Sequence, residues 1–551
     1  LKMQRMDNMK TLSRISNNRG MSTFIALMMM VMLTLIGISA IKMANDEVTI
    51  AGNEMNEMQS FYAAEAGLER AAAAIQHAYM TTNQPPSVLP TGNETVSGVV
   101  AAYSTSTNGT LEQRTLTQGT LAGLNASVRS FTITSTATSS IDNSQVVLSQ
   151  EFEAAMVPIF QFAVFYGNDL EVAPGADMTL IGRVHSNGNL WVQSGATLKM
   201  ESFVTCSGEF LHGRKGPGGT SYGDVLIKDE DGNYRNMKNS DGTFLQATSA
   251  NWYDSSSNRW GGRVQDSAFG QGELNLPLAA TGDPHKLIER AAGNPDSYEN
   301  KADLRIIDGV AEARVGASWV NVSALLPSGT ISSSSFTDLH EGTTVQATNI
   351  DMAKLATSAY FPTSGVVYIS DQRSGFRGTR LQNGADIGNA VSIFSENPVY
   401  VQGDFNTVDK KPAAICGDAV TFLSNNWNDA NSALNISSRT ASVTSVNASI
   451  MTGNNNTTGA NYNGGLENLP RFLENWTGRD FNFKGSLVNL WNSQQATAPW
   501  AYGSYYTAPN RNWSYDTDLD DPSNLPPETP VVRIFQRVGW RQDNVGYVLG
   551  S

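Results

Sequence analysis

Cysteine, histidine and charge are all scarce in this chain, and each scarcity removes a class of function. Only two cysteines occur in 551 residues, Cys206 and Cys416. Neither belongs to a CxxC pair or another metal-spaced cluster, so a zinc centre is not expected. Their distance apart in the chain neither requires nor forbids a disulfide; two separate buried thiols are the simpler reading. The five histidines, His77, His185, His212, His285 and His340, are scattered, and none lies within four residues of another. That spacing excludes an HExxH helix. There is no GxSxG nucleophile elbow and no glycine-rich phosphate loop at a strand-to-helix junction, so ATP use and that form of acyl chemistry are not indicated. Charged residues make up 16% of the chain and acids outnumber bases by 51 to 37. An acidic body offers no surface for phosphate, which excludes nucleic acid as a partner.

The little charge there is lies unevenly. Lys2, Arg5, Lys10, Arg14 and Arg19 face only Asp7 in residues 1–20, and the next 21 residues, Met21 to Ile41, carry no charge at all. An apolar run of that length spans about 30 Å as a helix, the thickness of a bilayer core. Basic residues ahead of it predict a cytoplasmic start and export of everything beyond Lys42. From Lys42 to Tyr79 there is no proline, and Val48, Ala51, Met55, Met58 and Tyr62 step by three and four. This predicts one apolar stripe on a helix that continues unbroken from the span to about residue 80. The second half of that helix is expected to pack on a head domain.

The order of features here is informative: Arg19-Gly20-Met21, the apolar run with Thr34-Leu35-Ile36-Gly37, Ala51-Gly52-Asn53, and Phe61 to Glu69 ending in Ala63-Ala64-Glu65-Ala66-Gly67-Leu68-Glu69. This segment resembles the PilX N-terminal family of minor pilins. The resemblance implies cleavage by a prepilin peptidase between Gly20 and Met21 and partners among other minor pilins and pilus or pseudopilus subunits. It also implies a bacterial inner-membrane anchor with an exported body, extracellular after assembly into a filament. Major pilins usually carry Glu as the fifth mature residue, where this chain has Ile25. In that respect it is similar to the large pseudopilin at the tip of type II secretion filaments, which implies a tip or initiating subunit.

The body has the texture of a mainly-β protein, with 49 Gly and many Asn, Ser and Thr. The fold expected is therefore α+β: a long N-terminal pilin-like helix, then a large exported β region. Five stretches are expected. Residues 1–20 form a basic leader and 21–80 the helix. Residues 81–160 form a small β unit on the helix, irregular to about 130 and then a hairpin from Phe131 to Phe152 around Asp142-Asn143. Residues 161–420 form a solenoid-like stack of short strands separated by Gly-Ala-Asp and Ser-Asn-Gly turns, with an insertion at about 212–360. That insertion should hold a hairpin at Asp231-Gly232 and short helices at Pro284–Ala292 and Ile350–Leu355. Residues 421–551 form an aromatic-rich segment with six of the ten tryptophans. The runs Asn397–Asn406, Lys411–Ala414 and Arg471–Trp476 resemble uncharacterised exported bacterial proteins with PilX-like N-termini, which implies the same domain order and no activity.

No catalytic or cofactor-binding residues are expected, and no enzymatic activity. His185 reads as a turn histidine bonded to nearby backbone. Asp386, Asp404 and Asp418 read as turn carboxylates, although stacked β folds that degrade polysaccharides do use such pairs. Asp516, Asp518, Asp520 and Asp521 alternate as Ca²⁺ ligands can, without the EF-hand Gly and Glu. They and Asp229, Glu230 and Asp231 read first as solvated loops. Trp427, Trp476, Trp491, Trp500, Trp513 and Trp540 read as core, with a surface or glycan ligand as the alternative use. Against the filament subunit stands a second reading, a singly spanning envelope protein whose β body binds glycan or scaffolds other proteins.

Overall fold

The computed structural model describes residues 19–547 apart from 83, 108, 217, 280, 281, 459 and 460. The expected leader therefore lies, up to residue 18, outside the described residues.

One helix, α1, runs from Arg19 to Thr82. Its 64 residues make it about 95 Å long. No proline interrupts it, and Pro85-Pro86 follow just beyond its end. The second half lies on an antiparallel sheet made of β1 (Thr91–Val96), β2 (Val99–Thr107), β3 (Glu112–Thr115), β4 (Asn125–Thr138), β5 (Ser144–Pro158) and a closing strand, Val531–Tyr547. The order across the sheet is β1-β2-β4-β5-closing strand, with β3 beside β4. The predicted hairpin is β4–β5, with Phe131 opposite Phe152.

Two expectations for this layer are corrected. Thr91–Val96, Val99–Thr107 and Glu112–Thr115 are strands rather than irregular chain. Their Thr, Ser and Ala composition reads as loop, yet β2 buries every other residue along part of its length, the period-2 signature of a half-buried strand. Ser97 and Gly98, at φ 51° and 84°, form the two-residue turn whose twist suits a hairpin. The second correction concerns the C-terminus. The last strand does not belong with the aromatic segment before it; it completes the N-terminal sheet, with Val531 opposite Pro158 and Tyr547 opposite Ser144.

The whole body is thus inserted between two adjacent strands of one sheet. The chain leaves at Pro158 and returns at Pro530, whose carbonyl accepts from the Ile159 N–H at 2.9 Å. Within the body, short strands stack in parallel. Val164, Val184 and Val204 are successive register partners, as are Leu170, Leu190 and Phe210, and Leu180, Met200 and Ile227. A second set, Val366–Ser370, Val391–Ser395, Ala413–Gly417, Ser449–Asn454 and Leu487–Asn492, also stacks in parallel. Leu487 then pairs with Val164, so the last strand of the second set docks on the first strand of the first. The chain starts in the middle of its own stack, builds outward to Val264–Gln265, crosses to the far end and builds back.

The crossing segment is part of the expected insertion. The expected insertion also carries the predicted hairpin, Asp224–Lys228 with Tyr234–Asn236, before the crossing, and a helix at Met352–Ala356 capped by Asp351 after it. Pro284–Leu287 is a single 3₁₀ turn, shorter than the helix expected to Ala292. The insertion is also not separate from the stack, since Asp224–Lys228 and Val264–Gln265 extend its ladders. Trp476, Trp491 and Trp427 are buried in the body, whereas Trp540 is 52% exposed. Cys206 and Cys416 are both buried and unpaired.

Candidate membrane and assembly helix

The first half of α1 packs no apolar side chain into the fold. Met21, Phe24, Ile25 and Leu27 to Val31 are all exposed, and this is the one described helix long and apolar enough to cross a membrane. From Met21 to Ile41 it offers no carboxylate, Ile25 included. Gly20 is not demanded by packing, because a Cβ there would meet nothing within 4 Å. A glycine in a helix costs about 1 kcal/mol relative to alanine, so its presence is unexplained by the fold.

The second half docks through one face, and the apolar stripe lies on another. Val48, Ala51, Met55, Met58 and Tyr62 are exposed. The face on the sheet is Asn56, Ser60, Ala63, Ala64, Gly67, Leu68, Ala71, Ile75 and Tyr79. Periodicity finds a stripe but not its partner, and here the sheet takes the face with the smaller side chains, because these allow close approach. At Gly67 a Cβ would stand 2.3 Å from Ser135 Oγ. Near the start of the docked half, Asn56 Nδ2 donates to Asp142 at 3.3 Å. Desolvation raises the Asp142 carboxyl, but hydrogen bonds from the Ser144 N–H and hydroxyl, with Ser139 and Asn56, hold it down at about 2. The unused stripe continues into a rim where the Phe61 ring lies 5.8 Å from Tyr62 and 6.1 Å from Trp540.

The far end of α1 is tied to the closing strand and, through it, to the Asn275–Leu276 segment of the body. Arg533 donates from its guanidinium to the Tyr79 carbonyl in the last turns, and at 3.2 Å to the Leu276 carbonyl. A cation there complements the negative end of the helix dipole. The Arg533 N–H also donates to the Asn275 carbonyl at 2.9 Å. Arg537 pairs with Glu69 of α1 at 2.5 Å.

The residues considered for chemistry are dispersed. Asp386 accepts from the Gly388 N–H and Asp404 from the Ser445 N–H. Asp418 is fully buried, accepting from the N–H groups of Gln494, Gln495 and Ala496. No contact joins the three. His185 is a strand residue, not a turn residue, and its ring bonds side chains: Thr205 Oγ1 at 2.8 Å and Asn187 Oδ1 at 2.9 Å. Burial pulls it down to about 4, so it is neutral near pH 7. Lys410 Nζ lies 2.6 Å from both Asp516 and Asp518, so two carboxylates of the acidic run are ion-paired within the fold. Arg235 does the same for Asp229 at 2.7 Å. Among the described residues no three His, Cys, Asp or Glu are grouped to hold a metal ion.

Sequence reasoning missed two buried carboxyls, Glu467 and Glu474, each raised to about 7 by desolvation. Glu474 accepts from the Ser424 N–H at 2.6 Å and hydroxyl at 2.7 Å. It lies in the Arg471–Trp476 run, where Phe472 and Trp476 are core. In this fold the run is a packing element. The pattern Leu-Glu-Asn at 466–468 and again at 473–475 was the available signal.

Residues 19–69 match the PilX N-terminal family model. No protein of curated function matches the sequence. Among solved structures, the competence-associated pilin ComZ from Thermus thermophilus aligns with 12% identity over 89% of this chain and 98% of its own. The TM-score is 0.28, too low to establish a common fold.

Proposed function

We propose, from the PilX N-terminal segment as premise, that this chain is a type IV pilin-like subunit anchored in a bacterial inner membrane until assembly. The observation that carries this reading is the division of α1. The family match covers a helix whose first half is bare and apolar, while its second half is docked on an antiparallel sheet. Such a helix can exchange lipid contacts for neighbouring helices without disturbing the head. The exposed stripe from Val48 to Tyr62 then faces other subunits.

The subunit is a minor one, set at the tip or initiating position. A carboxylate in the apolar segment is costly unless a partner neutralises it, and a subunit with nothing above it needs none; Ile25 fits that position. The body between Pro158 and Val531 has an expected radius of gyration of about 21 Å, which is hard to repeat on every subunit of a tightly staggered filament. We read its parallel ladders as coils of a β-solenoid scaffold. The role is assembly rather than catalysis, with other minor pilins and a prepilin peptidase as partners.

N-terminal sequencing of the mature protein tests this. Cleavage before Met21 is expected, and Gly20→Leu should leave the leader attached. A mature chain that keeps residues 1–20, or one cut after the apolar run by a signal peptidase, contradicts it.

A further inference from the structure

Gly282-Asp283-Pro284-His285 opens the single 3₁₀ turn of the crossing segment. The Asp283 carboxylate caps that turn, its Oδ1 accepting from the His285 N–H at 3.0 Å. This hydrogen bond closes a ring around the Asp283–Pro284 peptide bond, so the carboxylate is curled over its own main-chain carbonyl carbon. The N–H that holds it is well anchored. The buried His285 ring bonds Glu289 Oε1 through Nδ1 at 2.8 Å and reaches Asp418 Oδ1 through Nε2 at 3.4 Å. Asp418 is fixed in turn by the N–H groups of Gln494, Gln495 and Ala496. Water reaches the peptide bond, because Gly282 is exposed and Pro284 is half-buried on the wall of a cleft of about 500 Å³.

A carboxylate held against a carbonyl carbon is a nucleophile at high effective concentration. Asp attacking its own carbonyl carbon closes a small cyclic anhydride. Proline suits the leaving side: its amide nitrogen carries no N–H, is more basic than an ordinary amide nitrogen, and departs as a secondary amine. The chain has one other Asp–Pro bond, Asp521–Pro522, which serves as a comparison. The same cap forms there, but Asp521 Oδ1 accepts from both the Ser523 N–H at 2.9 Å and the Ser523 hydroxyl at 2.8 Å. Two donors on that oxygen lower its nucleophilicity, and serine stands where His285 anchors the first site.

We propose that Asp283–Pro284 is a self-cleavage site, at which the Asp283 carboxylate cuts its own chain. A carboxylate oxygen bonds to the Asp283 carbonyl carbon, the C–N bond to Pro284 breaks, and the departing nitrogen takes a proton from cleft water. The hydroxide left behind opens the anhydride, which leaves the side-chain and main-chain carboxyls of Asp283 on one piece and the Pro284 amine on the other. The two pieces stay joined after the cut. Leu487 still pairs with Val164, and the closing strand still pairs with β5. The inference is independent of the filament reading.

Mass spectrometry of the denatured full chain, after incubation of the folded protein in mildly acidic buffer, tests it. Fragments ending at Asp283 and starting at Pro284 should accumulate at least about tenfold faster than cutting at Asp521–Pro522. With hydroxylamine present, the fragment should end in an Asp283 hydroxamate, the mark of a trapped anhydride. Asp283→Ser keeps a capping oxygen but no carboxylate, and Pro284→Ala restores an ordinary amide. Each should reduce the fragments at least about tenfold, with melting close to wild type. If either variant fails to fold, hydroxylamine trapping on the wild type decides alone. A chain that stays intact overturns the proposal, as does a fragment that never carries hydroxamate. Equal cutting at the two Asp–Pro bonds overturns the role assigned to the fold.

Discussion

A chain truncated after Pro530 is expected to lose the helix–sheet layer altogether. The deletion unpairs β5 from Ser144 to Pro158 and removes Phe535, which stacks on Phe152 at 6.2 Å and lies 5.9 Å from Tyr79. It also strips α1 of its Arg533 contact at Tyr79. Val532 is fully buried and Phe535 packs against the core of the layer. Side chains of this size contribute about 1.5–3 kcal/mol each when fully buried. With the ladder and the helix-end contact, the loss is comparable to the whole stability of a domain, about 5–15 kcal/mol. Limited proteolysis should find residues 43–158 protected in the full chain and degraded in the truncation. Equal protection in both would contradict the topology. The arrangement also has a consequence for export. The N-terminal sheet cannot be completed until the last strand arrives, after the entire body, so the layer that holds the anchor folds last. Contacts so far apart in sequence are slow to form.

Substitution of Gly67 should have the next largest effect. Its position on α1 touches β4, with Ser135 Oγ 2.3 Å and Tyr103 Cβ 3.4 Å from where a Cβ would sit. Gly67→Val must push the helix from the sheet, at a cost of about 1–3 kcal/mol or more for overpacking, plus the weak helix propensity of valine. Gly67→Ala gains about 1 kcal/mol of propensity but meets the same hydroxyl. Ser135 Oγ is buried without a hydrogen-bond partner among the described residues, so Ser135→Ala should itself be nearly neutral and should restore Gly67→Ala. Thermal melting of the four proteins is the measurement. The expected order places Gly67→Val several degrees below wild type and the double variant above Gly67→Ala. A Gly67→Val protein that melts with wild type would mean that α1 does not sit on the sheet as described.

Local features were legible in the sequence, and non-local ones were not. The uncharged run from Met21 to Ile41 and the absence of proline to Tyr79 announce α1. Which face docks was not legible, because an apolar stripe and a small-residue stripe run along the same helix, and only the partner surface tells which is buried. Ser97-Gly98 marks a turn between strands whose alternation is carried by Thr, Ser and Ala, too weakly hydrophobic to stand out. The period of the stack is present in Val164, Val184 and Val204 and in Leu170, Leu190 and Phe210. It is lost when the chain departs after His212 and rejoins with strands at Asp224 and Val264. The pairing of β5 with the closing strand has no local signal, because nothing near residue 150 specifies a partner near residue 540. The buried Glu467 and Glu474 look like surface residues by type and are internal only because Ala173 and Ser424 supply donors.

The most direct test of the account is the position of this subunit on native filaments, found by gold labelling of an epitope placed in the exposed turn at Asp241-Gly242. The account predicts label at filament ends, about one cluster per filament. Label confined to the cell envelope, with filaments bare, would contradict it.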